Sequence, residues 1–161
     1  MWHSYPIDME EHLKRDKEAG LDWDTLDIAT YYDTFDSELE KVPRELWASA
    51  TDPYGKTLLC YASKSDKNLA SVVKLIAAGS DVNHIGYSTN HLGKTYPCYR
   101  PVMNAAHGQP RVLQALLEAG ARVEPGDLDH ARYEIGRPGR DCPLECAQEC
   151  ERLLIQYMVH S

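Results

Sequence analysis

Two Gly-Lys-Thr tripeptides, at positions 55–57 and 93–95, are the parts of this chain whose residue types could bind a nucleotide. A phosphate-binding loop needs a further glycine five residues before the glycine of the tripeptide, because its backbone N–H groups must surround the phosphates. That position holds Ala50 in the first case and Ser88 in the second. Neither tripeptide predicts a phosphate-binding loop, and both need another explanation.

Three cysteines form the other regular pattern. Cys142, Cys146 and Cys150 are spaced four residues apart, so on one helix they would line a single face. Tetrahedral zinc sites use closer Cys-x-x-Cys pairs, and we therefore predict structural thiols, with a metal or redox cluster as the alternative. Cys60 and Cys98 bring the total to five. An odd number without an export signal predicts reduced thiols.

The seven histidines are scattered along the chain. A nucleophilic cysteine needs a histidine base within hydrogen-bond distance, and Cys98 with His91 or His107 is the pair that we consider. No hydrolase or transferase signature accompanies these residues. We therefore predict no enzyme activity, no cofactor and no metal site. A cryptic Cys/His enzyme or metal-binding protein is the alternative.

Length and composition favour one domain over residues 1–161. The 161 residues are 43% apolar, which is enough for a real core. No apolar run approaches the roughly 18 residues that a membrane span needs. The chain also begins without a basic head followed by an apolar block. We expect a cytoplasmic protein with no membrane partner.

Negative charge is concentrated in the first third of the chain. Residues 1–50 carry 13 Asp and Glu against 5 Lys and Arg, whereas residues 51–161 carry 12 of each. Such a field repels nucleic acid and attracts a basic partner. We predict an acidic surface that contains Asp22, Asp24, Asp27, Asp33 and Asp36. The alternatives are a solvated face that maintains solubility, or a nucleic-acid mimic that binds a basic protein.

The first 50 residues also carry helical patterns. Residues 7–19 predict a helix with acidic residues in its first turn and Gly20 as its stop. A second pattern begins near Asp24, and Pro43 must kink it or start a new helix. Apolar residues at three- and four-residue steps predict one stripe along it. These are Ile28, Tyr31, Tyr32, Phe35, Leu39, Val42 and Leu46.

From residue 52 onward the chain repeats itself. The segment VVKLIAAGSDVN at 72–83 parallels VLQALLEAGARVE at 112–124, since each is an apolar helix, then Ala-Gly, then an extended exit. Shorter segments precede them at 57–62 and 100–106, and a third copy begins with CPLECA at 142–147. Self-similarity of this kind is typical of repeat proteins.

These segments resemble ankyrin repeats, whose pattern is Gly-x-Thr-Pro-Leu-His-x-Ala, then a second helix ending Leu-Leu, then Gly-Ala-Asp-Val-Asn. The first copy matches at Gly55, Thr57, Leu59, Ala62, Leu75, Ile76, Gly79, Asp81, Val82 and Asn83. The second matches at Pro101, Val102, Ala105, Ala106, Leu116, Leu117, Gly120, Ala121 and Val123, and the third at Pro143, Leu144, Ala147, Leu153 and Leu154. Cys60, Met103 and Glu145 replace the motif histidine, so other groups must hold the turns.

The resemblance implies an all-α ankyrin-repeat solenoid of stacked helix-turn-helix units. Gly79 and Gly120 are 41 residues apart, against about 33 in the family, so we expect enlarged β-hairpin loops at 84–99 and 125–140. The implied organisation is an acidic helical N-terminal cap over 1–50, a repeat over 51–84, a repeat with an enlarged loop over 85–124, and an enlarged loop with a C-terminal capping repeat over 125–161. The third copy is either a compressed helix pair or one continuous helix.

The resemblance also assigns the two Gly-Lys-Thr tripeptides to hairpins and implies a concave binding face of hairpin tips and inner helices. Tyr and Arg often anchor interfaces, and the enlarged loops contain both. The predicted partner-binding residues are Tyr54, Lys56, Tyr87, His91, Lys94, Tyr96, Tyr99, Arg100, His107, Arg132, Tyr133, Arg137 and Arg140.

A stand-alone protein of this class is expected to act by occupying another protein's surface. We predict a module, monomeric when free, that binds and inhibits or neutralises a partner such as a toxin with a basic cleft, in the manner of an immunity protein. Adaptor and host-interacting effector roles are the alternatives.

Overall fold

The computed structural model describes residues 9–159, where the chain is mostly helical with one small two-stranded sheet, in agreement with the predicted all-α class. The helices are α1 Met9–Glu18, α2 Trp23–Ala29, α3 Phe35–Glu40, α4 Leu58–Ala62, α5 Leu69–Ala77, α6 Pro101–Ala105, α7 Pro110–Glu118, α8 Pro125–Gly136 and α9 Leu144–Val159. Short 3-10 turns occupy Arg44–Leu46 and Asp66–Asn68, and the strands are β1 Tyr87–Thr89 and β2 Thr95–Pro97. Residues 7 and 8 of the first predicted helix lie outside the described range.

The helices after α1 are arranged in pairs, and the pairs pack in two rows. Each unit consists of a first helix (α2, α4, α6 or α8) that packs against a second helix (α3, α5, α7 or α9). The second helices contact one another in chain order, as do α4, α6 and α8. Helix α2 joins the first row through the Trp23 ring, 5.1 Å from the Tyr61 ring. The chain therefore builds four successive layers.

Small side chains allow the first helices to lie close together. A buried alanine occurs in each first helix, three residues after an apolar residue. The four pairs are Leu26 with Ala29, Leu59 with Ala62, Val102 with Ala105, and Leu128 with Ala131. These alanines are at most 3% exposed, and because they add little width the neighbouring helix can approach closely. Fully buried Leu75, Leu113 and Leu116 fill the second row.

Polar side chains tie each unit to the next. The Asp66 carboxylate caps α7 by accepting the backbone N–H groups of Arg111 and Val112 at 3.2 and 2.9 Å. The side-chain oxygen of Asn83 accepts the N–H of Arg122 at 2.9 Å, one layer further along. These bonds satisfy backbone groups that would otherwise be left without partners at the start of a helix or in an extended exit.

The residue types at two helix ends and one helix start explain their local geometry. Gly79 and Gly120 both adopt a φ of 98° after their helices, and the next residue donates back to Leu75 or Leu116 at 3.0 Å. Glycine suits this left-handed position because it has no Cβ. Thr57 caps α4, since its hydroxyl accepts the N–H of Cys60 at 3.2 Å.

The enlarged loop predicted over 125–140 is wrong, because helix α8 occupies most of it. Pro125 stands in the first turn, and the backbone N–H of Glu124 donates to the Asp127 carboxylate at 2.8 Å in a reciprocal capping box. Proline and aspartate are common both in loops and in the first turn of a helix, so these residues did not distinguish the two structures. Ala131 then anchors the helix in the core.

The third copy begins in a different place from the one the sequence predicted. Residues 144–159 form one continuous helix, the second of the two alternatives, and α9 packs against α8 and α7. The segment 142–147 therefore leads into a second helix, and α8 supplies the first helix of that unit. Pro143 thus immediately precedes a second helix, and Leu144 and Ala147 lie in it.

The single apolar stripe predicted beyond Asp24 is also wrong. Helix α2 ends at Ala29, the chain turns, and α3 begins at Phe35. The turn breaks the helical phase, so Ile28, Tyr31 and Tyr32 are 60–62% exposed. The buried side of α2 carries Trp23, Leu26 and Ala29 instead, while Phe35, Leu39 and Val42 are buried as predicted. Pro43 is followed by a short 3-10 turn.

Gly108 provides a stability test. It has a φ of 85°, and a Cβ there would lie 2.2 Å from the Cys142 sulfur. We expect Gly108→Ala to lower the free energy of unfolding by about 2–4 kcal/mol, because backbone strain adds to the steric overlap. Gly79→Ala, strained but surrounded by open space, should cost about 1–2 kcal/mol. Urea unfolding measures both values, and equal losses would contradict this account.

Candidate functional site

The first Gly-Lys-Thr tripeptide completes a tight turn held by an aspartate. The Asp52 carboxylate accepts the backbone N–H groups of Tyr54 and Lys56 at 2.8 and 2.9 Å. Gly55 adopts a φ of 78°, and Thr51 bridges to Thr57. The tripeptide is therefore required by the hairpin geometry.

The second tripeptide repeats the same geometry at the tip of the β1–β2 hairpin. The Asn90 side-chain oxygen accepts the N–H groups of Leu92 and Lys94 at 2.9 and 3.0 Å. Gly93 has a φ of 79°. Both segments follow the pattern Asx-x-x-Gly-Lys-Thr. The pattern forms a turn, and the assignment of both tripeptides to hairpins agrees with it.

Asp52 is buried beneath the first hairpin and binds a side chain of α4. It is 3% exposed, and the Tyr61 hydroxyl on α4 donates to it at 2.6 Å. Burial, followed by the Asp52 charge and hydrogen bond, raises the pKa of Tyr61. The Lys56 ammonium lies 3.8 Å from Asp52 and within 5.5 Å of the ring centroids of Tyr54, Tyr61 and Tyr99. Lys56, one of the predicted partner-binding residues, has a side chain that is only 15% exposed and makes its contacts within the hairpin.

The β1–β2 hairpin brings together four of the predicted partner-binding residues. Tyr87 and Tyr96 are 51% and 44% exposed, and His91 and Lys94 are exposed beside Leu92 at the tip. The strands are antiparallel, and the N–H of Tyr87 donates to the carbonyl of Tyr54 in the preceding hairpin at 2.7 Å. These side chains are therefore exposed to solvent, and their backbone is fixed by its hydrogen bond to the preceding turn.

Arg100, another of the predicted partner-binding residues, makes its hydrogen bonds within the fold. Its guanidinium makes two hydrogen bonds to Asp127, at 2.8 and 3.0 Å, and one to the carbonyl of Arg122 at 3.0 Å. The side chains of Arg100 and Asp127 are 16% and 2% exposed. This ion pair joins the start of α6 to α8. Removal of Arg100 would leave the buried Asp127 carboxylate without its cation.

The remaining predicted arginines lie on or after α8. Arg132 pairs with Glu151 on α9 at 3.0 Å, and Tyr133 is 59% exposed. Arg137 lies 3.7 Å from Glu134 and 3.2 Å from Asp141. Arg140 is half-buried. Arg132 and Tyr133 are thus helix residues, where the sequence predicted a loop.

The five acidic-surface residues have different roles. Asp22 caps α2 by accepting the N–H of Thr25 at 3.2 Å. Hydrogen bonds from Lys74 and, less strongly, Ser71 hold the pKa of Asp36 below its usual range. Asp27 pairs with Lys64 at 3.2 Å. Among residues 9–159, exposed Asp24 and Asp33 make no ion pair, so their carboxylates are available to a cation on a partner.

The sequence prediction missed an exposed patch on α2 and the turn after it. We call this the α2 patch, and it comprises Asp24, Asp27, Ile28, Tyr31, Tyr32 and Asp33. Several members recur at helical spacing on the side opposite buried Trp23 and Leu26. Alignment of the Leu-x-x-Ala segments of the first helices would have found it, because it fixes which side of α2 is buried.

That same alignment identifies a second feature, a column of side chains after the first helices. Tyr31, Lys64 and His107 each stand two residues after the buried alanine of their helix. Helix α8 continues for more than a turn beyond its buried alanine, and Arg137, just after its end, lies beside these three side chains. The four side chains line one cleft of about 370 Å³. Stacking of the layers therefore aligns residues that are more than 100 positions apart in the sequence.

The wall of this cleft contains a buried carboxylate. Glu134 is 5% exposed, and its oxygen lies 3.0 Å from Nδ1 of His107. The ring of His130 lies 4.7 Å from that of His107. Burial and the neighbouring His107 lower the pKa of His130. Glu134 thus fixes the orientation of the His107 ring and directs Nε2 away from itself.

The cysteines do not form the cluster that the alternative interpretation required. Cys60 and Cys150 are buried, and burial raises the pKa of each to about 12. Cys142 precedes α9 and presses against Gly108, so it does not share a helix with Cys146 and Cys150. Across residues 9–159 no three His, Cys, Asp or Glu side chains converge as metal ligands would.

No helix within the described range combines the length and apolarity needed to cross a bilayer. Comparison of the chain with protein-family models and with curated protein sequences gave no match.

Removal of the Tyr61 hydroxyl tests the hydrogen bond between Tyr61 and Asp52 beneath the first hairpin. We expect Tyr61→Phe to lower the free energy of unfolding by about 1–3 kcal/mol, because buried Asp52 loses a donor while the ring is retained. Urea unfolding measures the change. Tyr96→Phe, at a tyrosine that is 44% exposed in the β1–β2 hairpin, is the control and should leave stability unchanged. A loss as large as that of Tyr61→Phe would argue against this role of the Tyr61 hydroxyl.

Thiol accessibility tests the cysteine assignments. At pH 8 we expect Cys60 and Cys150 to resist alkylation in the folded protein, because buried thiols with a pKa of about 12 remain protonated. Both should react after unfolding in urea. Mass spectrometry of the alkylated peptides identifies the modified residues, and rapid labelling of either one in the native protein would refute the assignment.

Proposed function

We propose that this chain is an ankyrin-type protein-binding module that captures a partner protein with a basic surface. Its support is the sequence resemblance together with the layered helix pairs, the left-handed glycines after the second helices and the hairpins between units. In such modules the first helices and hairpins form the binding face. Here that face comprises the α2 patch and the β1–β2 hairpin.

The α2 patch is the observation that carries the proposal. Ile28, Tyr31 and Tyr32 are each about 60% exposed, although the same region buries Phe35 and Trp47 completely. A partner that covers these side chains would gain about 25 cal/mol for each Å² of apolar surface removed from water. Their spacing on one surface is what marks an interaction site, since isolated exposed apolar residues are common.

Charge around the patch indicates the chemistry of the partner. Asp24 and Asp33 are exposed without ion pairs in the described part of the chain. A lysine or arginine from a partner could pair with these carboxylates while its stem packs on the Tyr31 or Tyr32 ring. Acidic groups around an apolar centre also accelerate association with a basic protein.

The hairpin supplies a second set of contacts. Tyr87, Tyr96 and Leu92 present aromatic and apolar area with few rotatable bonds, which lowers the entropy lost on binding. A partner that contacts both the α2 patch and the β1–β2 hairpin would have a wide area of its surface covered. We therefore propose inhibition by occlusion, as an immunity protein blocks a toxin, by a chain that is monomeric when free and acts in the cytoplasm. Adaptor and effector roles would use the same face.

The test begins with recovery of the partner by affinity capture on the full chain, followed by calorimetry with the purified partner. We expect Tyr31→Ala and Tyr32→Ala each to weaken binding by about 1–3 kcal/mol, because anchoring rings lose their contact area. The matched control is Val73→Ala, which truncates a 53% exposed side chain on the second-helix row. Unchanged affinity in both tyrosine variants, or an equal loss in the control, would reject this binding face.

Salt dependence gives an independent measurement on the same complex. Replacement of Asp24 and Asp33 by Asn should reduce the fall in affinity between low and high ionic strength, because unpaired exposed charges supply the long-range attraction. If wild-type affinity does not change with salt, the partner surface is not basic.

A further inference from the structure

The cleft beside the α2 patch contains more hydrogen-bond donors than its own residues use. Lys64, His107 and Arg137 come from three successive layers, and the Tyr31 hydroxyl borders the same space. The side chains of His107 and Arg137 are 37% and 28% exposed, so both reach the solvent. Every one of these groups can donate a hydrogen bond.

The acceptors in the cleft differ in how firmly they are held. Glu134 is buried and already engaged with His107 at 3.0 Å and near Arg137 at 3.7 Å. Asp141 is 99% exposed where it meets Arg137, and Asp27 is 52% exposed where it meets Lys64. Exposed ion pairs contribute little, because water competes for both charges. An incoming anion can therefore replace Asp141 or share Lys64 without breaking the core.

We infer that this cleft binds a carboxylate of the partner, held by Lys64 and Arg137 with His107 Nε2 beside it. The inference rests on the proposed function and specifies the partner further. Arginine favours such a ligand, since its planar guanidinium pairs with both carboxylate oxygens. A partner would thus place basic residues on the α2 patch and an acidic group in the cleft, which fixes the direction in which it docks.

Short peptides test the cleft without the partner. The probes are acetyl-Ala-Glu-Ala-amide, acetyl-Ala-Gln-Ala with a free C-terminal carboxylate, and acetyl-Ala-Gln-Ala-amide, each titrated into the ¹⁵N-labelled full chain. We expect saturable NMR shifts at Ser65 and His107 with at least one carboxylate-bearing peptide and none with the uncharged amide. The two carboxylate peptides distinguish a side-chain ligand from a chain terminus. Equal shifts with all three peptides would overturn the inference.

Substitutions give effects of opposite sign. Arg137→Gln and Lys64→Gln should each weaken peptide binding about tenfold, the loss of one charge-assisted hydrogen bond, whereas Asp141→Asn should strengthen it by removing the competing carboxylate. Arg152→Gln is the matched control, since Arg152 pairs with Glu149 on the surface of α9. The inference is refuted if the control weakens binding as much as Arg137→Gln, or if Asp141→Asn weakens it.

The two proposals can fail separately. Tyr32 belongs to the α2 patch and does not line the cleft, so it separates the two sites. Loss of peptide binding in Arg137→Gln, with a partner affinity that Tyr32→Ala leaves unchanged, would support the cleft and reject the α2 patch. A partner that needs Tyr32 while no carboxylate peptide binds would reject the cleft alone.

Discussion

Close approach of the first helices is the constraint on which this structure depends. Ala29, Ala62, Ala105 and Ala131 keep the backbones of neighbouring layers near one another, and each layer then covers the apolar face of the next. A larger side chain at any of these positions would separate two layers and expose leucines on both sides. The same stacking places equivalent residues of successive layers next to each other, which creates the column that lines the cleft.

Hydrogen bonds to Asx side chains hold the irregular segments between the layers. Asp52 and Asn90 close the two hairpin turns, Asp66 caps a helix in the next unit, and Asn83 joins two extended exits. In the first hairpin the Tyr61 hydroxyl donates a further hydrogen bond to Asp52 and so ties the turn to α4. Because these carboxylates and amides are fixed by two or more bonds, the hairpins hold exposed side chains in defined positions.

Charged residues in this chain divide into those that build the fold and those left for a partner. Arg100 and Lys56 are positively charged, yet each is mostly covered and lies against a buried carboxylate, Asp127 or Asp52. Asp24 and Asp33 remain exposed near uncovered tyrosines. The α2 patch thus presents Asp24, Asp27 and Asp33 to the solvent, while the cleft beside it contains hydrogen-bond donors. Two neighbouring surfaces of different chemistry favour one orientation of a partner over its reverse.

The sequence by itself determined the elements whose signals are local. Gly79 and Gly120 mark helix ends because only glycine adopts their backbone angles easily, Thr57 marks a helix start, and the spacing around Gly93 indicates a hairpin. Tertiary structure decided which side of each helix is buried and which charges find partners. The chain leaves the helix after Ala29, and no glycine or proline marks that turn. The sequence pattern therefore continued the apolar stripe through the turn and placed Tyr31 in the core. Arg100 and Asp127 are 27 residues apart, and their pairing depends on how two layers stack, which residue types alone do not specify.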